Sequence, residues 1–517
     1  MFDLLITNGR VIDGSGLQWF RADVGITGDR ISAVGTLSHA EARQRIDADS
    51  RIVAPGLIDA HVHGDLALLA DPQHEPAIRQ GVTAYVVGQD GVAMAPSSAK
   101  TLEYMRCYTA GFNGNFPTPG LNWSSLDEYL NLFKSRCAMN AACMIPNGNL
   151  RMEVMGLETR QPTKDELTRM CRAVREAMEQ GAVGLSTGLD YIPSRYADVN
   201  ELIELCKVIA PYGGVYVTHM RAYSPEKVIE AMDEVERIGL EAGCAVHISH
   251  FNSLADQVIP KLDSMREKGV DVTFDLYCYL FGSTILGMIA LPPEIQEGGI
   301  EQTLQRLRDP ATRKKLDVWF AAPRIPLEKV RLSSVPANEL RHLEGQTLEA
   351  AAKLTNKSIG DCVVDLLLET EMATGCVAPH NPRRTEKDIE KLMQHPAMMS
   401  GSDGIYVGGK PHPRGTGCYA KYIGHYVRTG VWSLEEAVMK SSYHIARRFG
   451  LKDRGLIREG MAADVIVFDD KTIADRSTFD EGKTLAVGME HVIVNGELVL
   501  HGGERTKALP GRGLRRG

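Results

Sequence analysis

Two kinds of apolar spacing divide the chain. Near both ends, short stretches alternate apolar and polar residues between turn residues: 4–7, 9–14, 23–26 and 28–31 at the start, 463–468 and 491–499 at the end. Period-two alternation bounded by glycine and asparagine predicts β-strands. In the middle, apolar residues recur at helical spacing. Residues 164–180 place Leu167, Met170, Cys171, Val174 and Met178 on one stripe, which predicts an amphipathic helix. Residues 200–210 and 225–242 repeat the pattern, and each helix is followed by glycine and a short β-branched run. Repeated βα units of this length are what a parallel barrel needs. The β-rich ends predict one small sheet domain shared by both termini.

The stretch from about 285 to 345 breaks the alternation. Leu291-Pro292-Pro293-Glu294 and Glu297-Gly298-Gly299 punctuate it, and a charged helix is expected over 301–316. Long insertions on an active-site side often serve as lids. A surface excursion without a role is the plain alternative.

Several apolar runs end on residues with chemistry. Arg51-Ile52-Val53-Ala54-Pro55-Gly56-Leu57-Ile58-Asp59-Ala60 leads into His61-Val62-His63, and Tyr85-Val86-Val87-Gly88-Gln89 into Asp90. Further on, Gly214-Val215-Tyr216-Val217-Thr218 leads to His219, Ala245-Val246-His247-Ile248-Ser249 to His250, and Ala397-Met398-Met399-Ser400-Gly401-Ser402 to Asp403. Alternate residues of a strand share a face, so His61 and His63 can close on one metal ion. Imidazole and carboxylate suit zinc and neighbouring divalent metals. Each residue alone has an ordinary structural reading, and Asp90 before Gly91 is also a common turn pattern. Their joint placement at strand ends favours a metal centre.

Composition narrows the class. With 517 residues, a large barrel plus an accessory unit is the expected scale. A formal net charge of −8 argues against a nucleic-acid or anionic-membrane surface. The sequence has no apolar stretch of about eighteen residues and no basic leader followed by an apolar core, so no membrane partner is expected. Ten cysteines without a Cys-x-x-Cys pair read as reduced thiols, in keeping with a cytoplasmic location.

The order of these motifs resembles the amidohydrolase superfamily, and within it the N-acyl-D-amino-acid deacylases (D-aminoacylases). The resemblance rests on residues 55–63, Gly184-Leu185-Ser186-Thr187-Gly188-Leu189-Asp190-Tyr191, Thr218-His219-Met220-Arg221, Ile248-Ser249-His250, Gly401-Ser402-Asp403-Gly404 and His412-Pro413-Arg414, and covers nearly the whole chain. It implies an α/β fold, a (β/α)8 TIM-like barrel over 55–454 with a small β-sandwich formed by residues 1–54 and 455–517. It also implies a metal-dependent hydrolase of non-peptide C–N amide bonds acting on a small-molecule amide. Zinc is the expected cofactor, as one or two ions, with other divalent transition metals as alternatives. His61, His63 and Asp403 would hold one ion and His219 and His250 a second. The family typically has a cysteine ligand at the position of Asp90; a carboxylate can replace it and bridge two ions. Asp403 matches the aspartate that accepts the proton of the attacking water and passes it to the leaving nitrogen.

Substrate recognition departs from the family. Where the deacylases carry a lysine for the substrate carboxylate, this chain has Asn252, and an amide cannot supply that charge. Tyr191, Tyr277 and Ser283 match substrate-contacting positions, and Arg414 is a candidate cationic fork for a carboxylate. A neutral N-acyl amide is therefore the alternative substrate. Cyclic-amide opening of the hydantoinase or dihydropyrimidinase kind goes with a metal-bridging lysine, and residues 182–189 contain none. A non-catalytic scaffold would have lost ligands that this chain keeps. A homo-oligomer is compatible with the sequence.

Overall fold

The amphipathic stripe folds as the helix Lys164–Glu179 in the computed structural model, which describes residues 1–118 and 120–517. The Thr163 hydroxyl accepts from the Glu166 amide and the Glu166 carboxylate accepts from the Thr163 amide. This capping box satisfies two of the amides that a helix start leaves open. The other two expected helices form as Val199–Ile209 and Val228–Ala242. The second starts later than its pattern, because Ser224 accepts from the Lys227 and Val228 amides in a preceding turn.

The β-branched runs between helices pair in parallel. Strands Ile145–Pro146, Gly184–Gly188, Val215–His219, Ala245–Ile248, Val272–Leu276 and Met398–Ser400 lie side by side in that order. Leu57–Asp59, Val82–Val87 and Asn140–Cys143 form a second parallel set, joined by Gly513–Leu514. Backbone hydrogen bonds lace the two sets at both seams. At one, the Val183 amide donates to the Cys143 carbonyl at 3.1 Å; at the other, the Asp403 amide donates to the His61 carbonyl at 2.7 Å and the His63 amide to that of Gly404 at 3.0 Å. Strands from opposite ends of the sequence thus meet at residues 61 and 403.

The termini share a nine-stranded sheet in which Ile52–Pro55 pairs antiparallel with Val465–Phe468. The run 491–499 is two strands, Met489–Val494 and Glu497–His501, turned at Asn495-Gly496 with positive φ at both residues; Asn-Gly tolerates the left-handed backbone of a tight hairpin. A buried polar knot ties this sheet to the parallel strands. Asp464 receives the Arg454 guanidinium, the Asn140 amide group and the Asn495 backbone amide, and Asn495 Nδ2 donates to Asn140 Oδ1. Buried polar groups satisfied in this way fix one relative placement of the two sheets.

The inserted stretch has its own apolar core, running from Leu286 to Cys376, and a three-stranded antiparallel sheet of Phe281–Ile285, Gly375–Pro379 and Arg331–Ser334. It therefore continues well past residue 345. The charged segment 301–316 is not one helix. It divides into Ile300–Arg308 and Pro310–Ala321, because proline lacks an amide hydrogen and drives the preceding residue out of the helical region. Asp309 is extended at the break and caps the second helix through the Ala311 and Thr312 amides. Among the described residues no helix is long and apolar enough to cross a membrane.

Candidate metal centre

The parallel strands end on one side of the sheet, and their last residues turn sharply. Asp90, His250 and Asp403 all have positive φ, of 57°, 33° and 50°. Non-glycine residues held there cost on the order of 1–3 kcal/mol each, and such strain concentrates at functional sites.

The turns bring all six expected ligand residues together. His61, His63 and Asp403 have donor atoms within 4.8 Å of one another, as do His61, Asp90 and His250. Asp90 is central: Oδ1 lies 3.6 Å from His61 Nε2 and 3.8 Å from His250 Nε2, and Oδ2 lies 3.6 Å from His63 Nε2 and 3.9 Å from His219 Nδ1. His219 Nδ1 and His250 Nε2 are 3.0 Å apart. Asp403 Oδ1 lies 3.2 Å from His63 Nε2.

Electrostatics shows what the cluster lacks. Both ring nitrogens of His61 and Oδ1 of Asp90 are buried without a hydrogen-bond partner. Burial alone would lower the His61 pKa, but Asp275, Asp90 and Asp403 outweigh it and lift the imidazole to about 10. At His219, burial and then the neighbouring His250 push the pKa down to about 3. Burial would raise the Asp403 carboxyl, yet the Arg414 guanidinium, followed by His63, holds it well below the usual carboxylate range. Buried, converging carboxylates with unpartnered imidazole nitrogens among them are satisfied by a cation.

Asp275 belongs to this arrangement although the motifs did not single it out. Its Oδ2 lies 3.4 Å from His61 Nδ1 and 3.0 Å from His247 Nε2, and its Oδ1 accepts the His250 amide at 2.8 Å. It orients two candidate ligands from behind, as outer partners of metal-binding histidines do. The available signal was an acid inside the apolar strand Val272–Leu276.

A cavity of about 380 Å³ opens over the cluster, lined by His63, Asp90, His219, His250 and Asp403. Tyr191, Asn252, Tyr277 and Ser283 also line it. Tyr191 Oη is 3.2 Å from His219 Nδ1, Ser283 Oγ donates to the Cys376 carbonyl, and Asn252 Oδ1 has no partner. Arg414 does not line the cavity. It is fully buried, with Nη1 2.8 Å from Asp403 Oδ2, Nη2 donating to the Ser283 carbonyl, and its guanidinium 4.6 Å from the Tyr277 ring centre.

Residues 44–500 match the amidohydrolase family. The chain belongs to the amidohydrolase family. This amidohydrolase is 34% identical over 512 residues to the D-aminoacylase of Alcaligenes xylosoxydans xylosoxydans, covering 96% of this chain and 94% of that protein. Among solved structures it is similar to the N-acyl-D-glutamate deacylase of Bordetella bronchiseptica in complex with zinc and a phosphonate mimic of the tetrahedral intermediate, with a TM-score of 0.84, 31% identity and 99% of each chain covered. It is also similar to a D-aminoacylase studied for its binuclear metal centre, where one metal activates and a second attenuates, with a TM-score of 0.82, 32% identity and full coverage of both chains.

Proposed function

We propose that this amidohydrolase is a metal-dependent deacylase that hydrolyses the non-peptide amide bond of an N-acyl amino acid or a closely related N-acyl amine. The observation that carries the reading is the set His61, His63, Asp90, His219, His250 and Asp403, gathered at one end of the strands with the ring nitrogens of His61 and Oδ1 of Asp90 buried and unpartnered, and with all but His61 lining one cavity. We read the two laced parallel sets as one closed (β/α)8 barrel over 55–454, the ends 1–54 and 455–517 as a composite β-sandwich, and the insertion beginning near 285 as a lid. Ten free cysteines support a reducing, cytoplasmic setting.

In this reading His61, His63 and Asp403 would hold one zinc ion and His219 and His250 a second, with Asp90 as the ligand within reach of both. A divalent zinc ion in such a site supplies Lewis acidity toward the amide carbonyl and makes water more acidic. The chain's own groups do the rest. Asp403, kept ionised by Arg414, accepts a proton from the attacking water and delivers it to the leaving nitrogen. Asp275 holds the His247 ring by a hydrogen bond and sets a carboxylate 3.4 Å behind His61 Nδ1. Phe112, Met288 and Ile289 give the cavity an apolar wall for the acyl group or side chain, two of them from the insertion. Asn252 offers a neutral amide where a cation would grip a carboxylate.

The test is elemental analysis of protein purified without chelator, followed by assay of the zinc-loaded protein against N-acyl-D-amino acids, N-acyl-L-amino acids, neutral N-acyl amines and cyclic amides. The expected result is at least a substantial fraction of one metal per chain and release of a free amine from an N-acyl compound. Full activity in metal-free protein overturns the reading.

A further inference from the structure

Tyr277, His380 and Arg384 form a chain of hydrogen bonds at the cavity wall. Arg384 Nη1 lies 2.9 Å from His380 Nδ1, and His380 Nε2 lies 2.9 Å from Tyr277 Oη. Arg384 is buried, with a second bond from Nη1 to the Tyr279 carbonyl and with Nε and Nη2 unpartnered. The direction of the chain follows from donor inventory. A guanidinium only donates, so His380 Nδ1 must accept and carries no proton. The neutral ring then holds its proton on Nε2, which donates to Tyr277 Oη. With that oxygen accepting, the phenolic hydrogen of Tyr277 points elsewhere.

Gly282 leaves room for what it points at. A Cβ at this position would sit 2.9 Å from His380 Nε2 and 3.1 Å from Tyr277 Oη, so a side chain here would crowd both ends of their hydrogen bond. Two buried guanidinium groups flank it, Arg384 through His380 and Arg414 against the ring face. Burial, and then the neighbouring Arg384 and Arg414, hold the His380 pKa well below its ordinary value, consistent with a neutral ring.

We infer that Arg384 and His380 are positioning residues that lock Tyr277 as an outward hydrogen-bond donor, so that the pocket selects a substrate presenting an electron-rich oxygen, a carboxylate or carbonyl, and not an N–H, at that point. This rests on the proposed deacylase reading and adds the polarity of one recognition point. The Nε2–H bond to the phenolic oxygen polarises the hydroxyl, which strengthens the donor it presents. A charged acceptor met by this donor partly replaces the cation that Asn252 does not provide.

Glutamine and glutamate at 380 separate polarity from packing. His380→Gln can accept from Arg384 and donate to Tyr277, whereas His380→Glu accepts at both ends and draws the Tyr277 hydrogen away from the cavity. On a carboxylate-bearing N-acyl substrate, His380→Gln should stay within about threefold of the native enzyme, while His380→Glu should lose about ten- to a hundredfold in kcat/KM, mainly through KM. In a Tyr277→Phe background the two variants should be equal. A second arm uses protein labelled with ¹⁵N-histidine, the His380 signal being assigned by its loss in His380→Gln. The ring should show a proton on Nε2 and a bare Nδ1, and Arg384→Met should shift it toward the other tautomer. Equal activity of the Gln and Glu variants in the native background, a Glu-specific loss that persists without the Tyr277 hydroxyl, or a native proton on Nδ1 overturns the inference. If the protein hydrolyses no N-acyl compound, the deacylase reading fails, and the tautomer measurement still decides the relay.

Discussion

Arg414 Nη1 lies 2.8 Å from Asp403 Oδ2, and both side chains are buried. The arginine that the sequence offers as a substrate fork is thus committed to the candidate catalytic carboxylate and to the Ser283 carbonyl. Removing one partner of a buried ion pair leaves the other charge stranded, at a cost of about 3–5 kcal/mol. Arg414→Met should therefore lower the urea midpoint and the activity together. A variant with unchanged stability would show that the pair is not desolvated as the geometry indicates.

Asp403→Asn should keep the fold, with a lowered denaturation midpoint because Arg414 is left without its counter-charge, and lose activity, because the amide can neither accept the water's proton nor return it to the leaving nitrogen. General acid–base catalysis is typically worth about 10²–10⁴-fold. Single-turnover rates on the zinc-loaded variant measure this, and a loss smaller than about tenfold would give Asp403 a structural role only.

Asp90 touches every histidine of the cluster, so Asp90→Ala should lower metal content as well as rate. Asp90→Cys should retain metal, since a thiolate is a strong zinc ligand. Metal-to-protein ratios after dialysis distinguish the two variants. Equal metal content in native protein and Asp90→Ala would return Asp90 to a turn residue.

Asn252 lines the cavity with an unpartnered Oδ1. Asn252→Lys should raise kcat/KM for a carboxylate-bearing N-acyl amino acid by about tenfold or more, because a charged hydrogen bond is worth roughly 1.5–3 kcal/mol. Its decarboxylated N-acyl amine should gain nothing. A native preference for the carboxylate compound that the lysine fails to improve would mean that another group already fills this role.

His74 gives a pH dependence away from the cluster. It is buried, 2.8 Å from Tyr85 Oη, and burial lowers its pKa from 6.5 to about 4. The folded state binds fewer protons than the unfolded chain between these values, so its contribution is full above pH 6.5 and is lost as pH falls toward 4. The loss is on the order of 3 kcal/mol, at 1.36 kcal/mol per unit. Denaturant midpoints measured from pH 7.5 down to pH 4.5 should fall less steeply in His74→Gln than in the native protein; parallel curves would remove His74 as the cause.

The sequence alone determined what is written in local spacing and in residue chemistry. The period of apolar residues marked the helices at Lys164–Glu179 and Val199–Ile209, and the six ligand-type residues could be picked out because several imidazoles and carboxylates recur together at the ends of apolar runs, although each alone has an ordinary structural reading. The break at Pro310 is legible too, since a proline inside a helical pattern is a local signal, although the charge pattern over 301–316 by itself suggests one helix. What only tertiary structure decided depends on residues distant in sequence. Asp275 becomes an orienting partner because its strand lies beside both Ala245–Ile248 and Met398–Ser400. Arg414 is turned from the cavity to Asp403, and His380 meets Tyr277 across 103 positions. Such contacts have no period and no spacing rule; packing fixes them, through the burial that makes an unpaired charge or donor too costly to leave alone.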